Sequence, residues 1–375
     1  MIRSLIPKDR HNYKYRAFFS FLLIFIYRIA FTQKADDSFF TNSSIGVSGY
    51  YGSFLTTQPK SEYIRDSYSY FGEIYFEKQT NGSSAWQSSH NYPSWGVTYI
   101  HGNTGSKEYI GNMDAVYAFL NVPIIRTKKF TNNFRLGAGP GWVQNPYDIN
   151  TNPKNTIIGT KLNAYISLML RNEIKILPKI YGNISLGLTH LSNGGTSLPN
   201  LGLNTPIVSA GVRYAFHEPI VQTKMAIDSF RKRVSYRVSI SSALKQIQLV
   251  GGPYNLLFVV QPEIVNHFSP NHSYGYGIAF FLNPYAEMDK KKYNLESEST
   301  NTLQAGIFGA YEHYFGRLSI PLQLGAYVYN QGKSPLLFQQ IGMRYQLNNK
   351  LNTELHVKTH LGKADFIHAG VGYTL

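Results

Sequence analysis

Strict alternation of apolar and polar residues, renewed in segment after segment of about ten residues, most limits the folds open to this chain. Leu162, Ala164, Ile166, Leu168 and Leu170 are apolar. Between them stand Lys161, Asn163, Tyr165, Ser167 and Arg171, with Met169 the exception. Leu318, Ile320, Leu322, Leu324, Ala326 and Val328 repeat the pattern against Arg317, Ser319, Gln323 and Tyr327. A β-strand sends successive side chains to opposite faces, so each segment has one greasy and one polar side. Segments of this kind are read at 44–55, 67–76, 109–120, 134–143, 161–171, 179–192, 204–216, 233–244, 256–266, 274–282, 302–314, 317–328, 337–347, 351–361 and 364–375. Turn residues separate them.

No run of about 18 apolar residues occurs, so the chain holds no ordinary transmembrane helix. Its 32 Gly and 29 Tyr, 43% hydrophobic residues and mean hydropathy of −0.23 suit strands that face lipid on one side only. The expected fold is all-β: an antiparallel transmembrane β-barrel of the outer-membrane type with about 14–16 strands. One large barrel is expected in preference to two small ones. The last strand ends on an apolar residue, with Tyr373 two before Leu375.

The first 32 residues read as an export signal. Arg3, Lys8, Arg10, Lys14 and Arg16 form a basic region, and residues 17–27 form an apolar core too short to span a bilayer. Cleavage is expected after Ala30-Phe31-Thr32, and an uncleaved anchor is the alternative. The expected organisation is signal peptide 1–32 and barrel 33–375. Net charge is +15, of which about +10 remains beyond the leader. A basic exported barrel suits a phosphate-rich partner such as lipopolysaccharide. Nucleic acid is set aside, because no basic helix, arginine-rich run or binding module is present.

Several motifs carry nothing. Gly102-Asn103-Thr104-Gly105-Ser106-Lys107 has the wrong spacing for a phosphate loop. Gly137-Ala138-Gly139-Pro140-Gly141 reads as a barrel strand beside bulky lumen neighbours. The 11 His form no tight ligand pattern and Cys is absent, so neither metal nor cofactor is expected. A weak internal repeat pairs Gly211-Val212-Arg213-Tyr214 with Gly342-Met343-Arg344-Tyr345, and Thr189-His190-Leu191 with Thr359-His360-Leu361.

One segment carries chemistry. From Ile180 the even positions Ile180, Gly182, Ile184, Leu186 and Leu188 are greasy, and His190 and Ser192 continue that face. A base and a hydroxyl two apart on one side of a strand lie within one hydrogen bond, and a neighbouring His is what a serine hydroxyl needs to become a nucleophile. Polar groups facing lipid are costly, which makes this an odd site unless its substrate is a lipid. By the same parity, His360 falls on the polar, lumen side with Lys358 and His356.

His190-Leu191-Ser192-Asn193-Gly194-Gly195, followed by Pro199-Asn200-Leu201-Gly202, resembles the active-site segment of the outer-membrane lipid A 3-O-deacylases of the PagL type, an acyloxyacyl hydrolase-like family. The resemblance spans roughly residues 40–216 and leaves residues 217–375 as additional strands of unassigned role. It implies His190 as base, Ser192 as nucleophile and Asn193 as an oxyanion-hole contributor. Where that family has a Glu that orients the base, this chain has Asn204. Asn204→Glu is therefore expected to retain or raise activity.

The resemblance implies an esterase at the bacterial outer membrane that removes ester-linked 3-hydroxyacyl chains from lipid A or lipopolysaccharide. The alternatives are a non-catalytic porin or envelope scaffold that keeps the segment, and a phospholipase. The sequence leaves the chain position cleaved and the oligomeric state open.

Overall fold

The computed structural model describes residues 40–56, 58–217, 230–247, 249–293, 302–330 and 335–375. The signal peptide expected at 1–32 lies outside them. The strands are β1 (Ser43–Gly52), β2 (Ser69–Gln79), β3 (Ser94–Asn103), β4 (Asn112–Arg126), β5 (Phe130–Val143), β6 (Leu162–Leu177), β7 (Ile180–Ser192) and β8 (Leu203–Ala215). Then follow β9 (Arg233–Gln246), β10 (Tyr254–Ser269), β11 (His272–Leu282), β12 (Leu303–Phe315), β13 (Leu318–Asn330), β14 (Leu337–Gln346), β15 (Leu351–His360) and β16 (Lys363–Thr374).

These strands close into two antiparallel barrels, β1–β8 and β9–β16, and the single large barrel expected from the sequence is corrected on this point. Barrel 1 closes where β8 pairs back onto β1, from Ser44↔Ala215 to Gly52↔Ile207. Barrel 2 closes where β16 pairs with β9, from Ala369↔Ser242 to Thr374↔Arg237. The reason lies in what fills the lumens. Eight strands enclose a space just wide enough for side chains, and the inward positions here are bulky. Tyr75, Tyr117, Tyr165, Arg135 and Arg171 are all fully buried inside barrel 1.

The alternation sets the faces as expected. On β6 and β7, Leu168, Leu170, Ile184 and Leu186 are exposed, while Ser167, Arg171, Asn183 and Ser185 are buried. On β13, Leu322, Leu324 and Val328 are exposed against buried Ser319 and Gln323. β3 has no counterpart among the expected strands. Its outward Trp95, Val97 and Tyr99 alternate well, but inward Ile100 is apolar and fully buried, which blurs the pattern.

Each lumen is zoned. Toward the end where β7 finishes, barrel 1 holds an apolar layer that includes Phe54, Ile64, Ile100, Ile110, Leu191 and Leu203. Deeper, Glu73 accepts hydrogen bonds from Tyr50 (2.8 Å), Tyr117 (2.7 Å) and Arg135 (3.2 Å). Arg135 lies 3.9 Å over the Phe119 ring. Barrel 2 repeats the plan with other residues. Arg237 and Arg344 share Glu263 and Glu312, and Arg344 also donates to Glu354 at 3.2 Å. Phe281, Tyr327, Phe338 and Phe366 form an aromatic layer under which Lys358 is buried. In the weak repeat, the two Thr-His-Leu copies fall at the ends of β7 and β15, the seventh strand of each barrel. The Gly-x-Arg-Tyr copies fall on β8 and β14, which are not equivalent.

Candidate active site

The site lies on the outside of barrel 1, at the end of β7 and the start of β8. Even-numbered residues of β7 face outward, with Ile184 67% and Leu186 61% exposed. His190 keeps this parity and is half-buried. Ser192, one position pair further on, is only 6% exposed, because the following loop covers it. No irregularity interrupts the β7–β8 register between Ile180↔Tyr214 and Leu191↔Leu203. His190 and Ser192 therefore stay on one face.

The same register brings Asn204 beside the ring. His190 stands directly opposite Asn204 on β8. The ring Nδ1 lies 2.7 Å from Asn204 Oδ1, and Nε2 lies 2.8 Å from Ser192 Oγ. An amide oxygen only accepts, so the ring hydrogen sits on Nδ1 and the Nε2 lone pair faces the serine hydroxyl. Asn204 is itself anchored, its carbonyl accepting from Leu55 N–H at 2.7 Å. Gly202 approaches the ring closely: its φ is +75°, and a Cβ there would lie 2.8 Å from His190 Cε1. A side chain at 202 would push the imidazole from this position. On β6, Ala164 and Ile166 stand beside Ser192 and His190, so the ground around the polar pair is apolar.

Asn193 faces the loop rather than the serine. Its Nδ2 donates to Ser197 O at 3.0 Å, and its Oδ1 accepts from Gly195 N–H at 3.0 Å. Its backbone N–H donates to Asn200 Oδ1 at 3.1 Å. The N–H that faces Ser192 Oγ is that of Gly194, at 3.4 Å. Sequence reasoning did not single out Gly194, because only the loop conformation turns its N–H inward.

Two acids in loops at the same end of barrel 1, Asp148 and Glu108, are held by other partners. Asp148 accepts from the backbone N–H groups of Thr151 (2.8 Å) and Asn150 (2.9 Å), which hold its carboxyl below the usual range. Glu108 is tied through its backbone N–H to Asp66 at 3.1 Å. His360 points into barrel 2, with Nε2 2.9 Å from the Tyr327 hydroxyl. Among the described residues, no group of three or more His, Asp or Glu side chains is arranged to hold a metal ion.

Two family models match the chain. Residues 71–213 match lipid A 3-O-deacylase (PagL), and residues 234–375 match the C-terminal domain of acyloxyacyl hydrolase of the same family. Barrel 2, unassigned on sequence reasoning, thus has a counterpart in the family after all. None of the curated proteins matches the chain. Similar solved structures include Neisserial surface protein A, at 10% identity and TM-score 0.31, covering 47% of this chain and 98% of that one. A double mutant of Rh. blastica porin is 11% identical with TM-score 0.22, covering 89% and 100%. The two family matches span both barrels, and the chain belongs to the lipid A 3-O-deacylase (PagL) family.

Proposed function

We propose that this protein is an outer-membrane esterase that removes ester-linked 3-hydroxyacyl chains from lipid A, with Ser192 as nucleophile and His190 as base. The observation that carries the reading is the line Asn204 Oδ1, His190 Nδ1, His190 Nε2, Ser192 Oγ, with both gaps below 3 Å, on an apolar outer face. His190 Nε2 takes the Ser192 proton as Oγ attacks the acyl carbonyl. The carbonyl oxygen gains charge and meets the Gly194 N–H, with Asn193 shaping the loop that presents it. Collapse breaks the bond to the sugar oxygen, which receives the proton from His190. Water then attacks the acyl-enzyme by the same route in reverse. Lipopolysaccharide reaches the site sideways through the outer leaflet. Amide-linked chains resist, because an amine is a far poorer leaving group.

The test is mass spectrometry of lipid A before and after exposure to the folded protein. Loss of one ester-linked hydroxyacyl mass, with amide-linked chains intact, is the expected result. Release of fatty acid from glycerophospholipid alone would make the protein a phospholipase, and no change in either lipid would leave a non-catalytic barrel.

Asn204 supplies a graded test. Asparagine fixes the imidazole tautomer but puts no full charge beside the imidazolium that forms during attack. Asn204→Asp is isosteric and places a carboxylate at the existing 2.7 Å contact. It should raise turnover by about tenfold, toward the lower end of a charge-assisted bond. Asn204→Glu must fit one more methylene and should gain less. The carboxylate stabilises the imidazolium that forms as Ser192 attacks. Unchanged turnover in a well-folded Asn204→Asp would show that residue 204 does not act on the working base.

A further inference from the structure

Barrel 2 meets barrel 1 at the loop that follows the nucleophile. Gln246, the last residue of β9, is buried. Its Oε1 accepts from Leu198 N–H at 2.9 Å and from the Ser197 hydroxyl at 3.2 Å, while its Nε2 donates to Gly252 O at 3.0 Å. Its backbone N–H donates to Thr196 O at 2.8 Å. Tyr254, the first residue of β10, donates its hydroxyl to Ser197 Oγ at 3.0 Å. Ser197 in turn receives the Asn193 side-chain amide on its carbonyl. A continuous chain of hydrogen bonds thus runs from barrel 2 to the residue beside Ser192.

Contact is as close on the other flank. Gly194 has φ +64°, and a Cβ there would lie 2.2 Å from the Ile367 side chain on β16. A Cβ at Gly195 would lie 2.4 Å from Asp365 O. The loop is therefore pressed between its own barrel and its neighbour. A ten-residue loop on a single barrel would hold its backbone N–H groups loosely, and an oxyanion donor works only where it is fixed in advance.

We infer that barrel 2 serves as the positioning body for the site on barrel 1, with Gln246 as the positioning residue that holds the 193–198 loop and so aims the Gly194 N–H at Ser192. This inference rests on the reading of Ser192 and His190 given above. It assigns to the second half of the chain a role in the reaction that the Ser-His-Asn line alone does not reveal.

The test uses the full chain folded in detergent, acting on lipid A in mixed micelles. Gln246→Met fills the space but offers no oxygen to Leu198 and Ser197. Its kcat should fall by about tenfold to a hundredfold, approaching the loss of an oxyanion donor, with KM nearly unchanged. Gln246→Glu still accepts both bonds and should recover most of that loss. Both variants should keep the compact unboiled gel mobility of folded barrels. Wild-type kcat in Gln246→Met overturns the inference. A parallel rise in KM, or a loss that Gln246→Glu leaves unrelieved, overturns it too, since either marks general loosening. Ser192→Ala, run alongside, separates the two levels. Activity in that variant sinks the nucleophile assignment, whereas an inactive Ser192→Ala beside a fully active Gln246→Met sinks only the positioning role.

Discussion

Ser192→Ala should lower the release of ester-linked acyl chains by about a thousandfold or more, the cost of losing a nucleophile whose base remains in place. The substitution removes one oxygen and two hydrogen bonds, a short one to His190 Nε2 and a longer one from the Gly194 N–H. Such a bond is worth about 1 kcal/mol to stability, so both barrels should assemble normally. His360→Ala is the matched control, because that ring lies inside barrel 2, between the Tyr327 hydroxyl and the Asp365 carboxylate, rather than on the outer face that carries His190 and Ser192. Its turnover should be that of the parent protein. Acyl release is followed by mass spectrometry of lipid A, and undiminished release by Ser192→Ala would end the serine mechanism.

The second large effect is on stability. Glu73 sits inside barrel 1 with its carboxylate shared among two tyrosine hydroxyls and Arg135. Arg135 is 1% exposed, and besides the Phe119 ring its remaining polar partners are Asn121 at 2.8 Å and Glu77 at 3.8 Å. Glu73→Ala leaves a guanidinium short of charge where water cannot reach it. Breaking such a pair from one side costs about 3–5 kcal/mol. Urea titration of the protein folded into short-chain lipid vesicles should show that loss for Glu73→Ala and less for Glu73→Gln, which keeps an acceptor oxygen. Replacing both partners, Glu73→Leu with Arg135→Met, should be milder than Glu73→Ala, because the buried guanidinium leaves together with the carboxylate it pairs with. Equal stability of Glu73→Ala and the parent would mean that Arg135 is hydrated in the lumen.

The strand pattern was legible because it is local: one side chain out, the next in, as at Leu162–Leu177. Closure was not, because it depends on which distant strand edge each end strand meets. Ser44 pairs with Ala215 and Val371 with Ile240, and no window of sequence contains either pair. A clue was present in the bulk of the inward residues, since Tyr117 and Arg171 leave no room for a wide pore. At the site, parity alone put His190 and Ser192 on one face; Asn204 was singled out by the family resemblance, and the β7–β8 register sets it opposite the ring. The Gly194 N–H and the grip of Gln246 were invisible, because both come from a loop conformation set by a partner 49 positions away in the chain.

The apolar layers that cross both lumens have a consequence for the cell that carries them. With Phe54, Ile64 and Ile110 packed across one barrel and Phe281, Phe338 and Phe366 across the other, neither is a conduit. The protein should pass no steady ionic current in a planar bilayer. Raising its copy number should leave the leakage of small antibiotics unchanged. A cell can therefore remodel its surface lipid in proportion to the amount of this protein without weakening the envelope as a barrier.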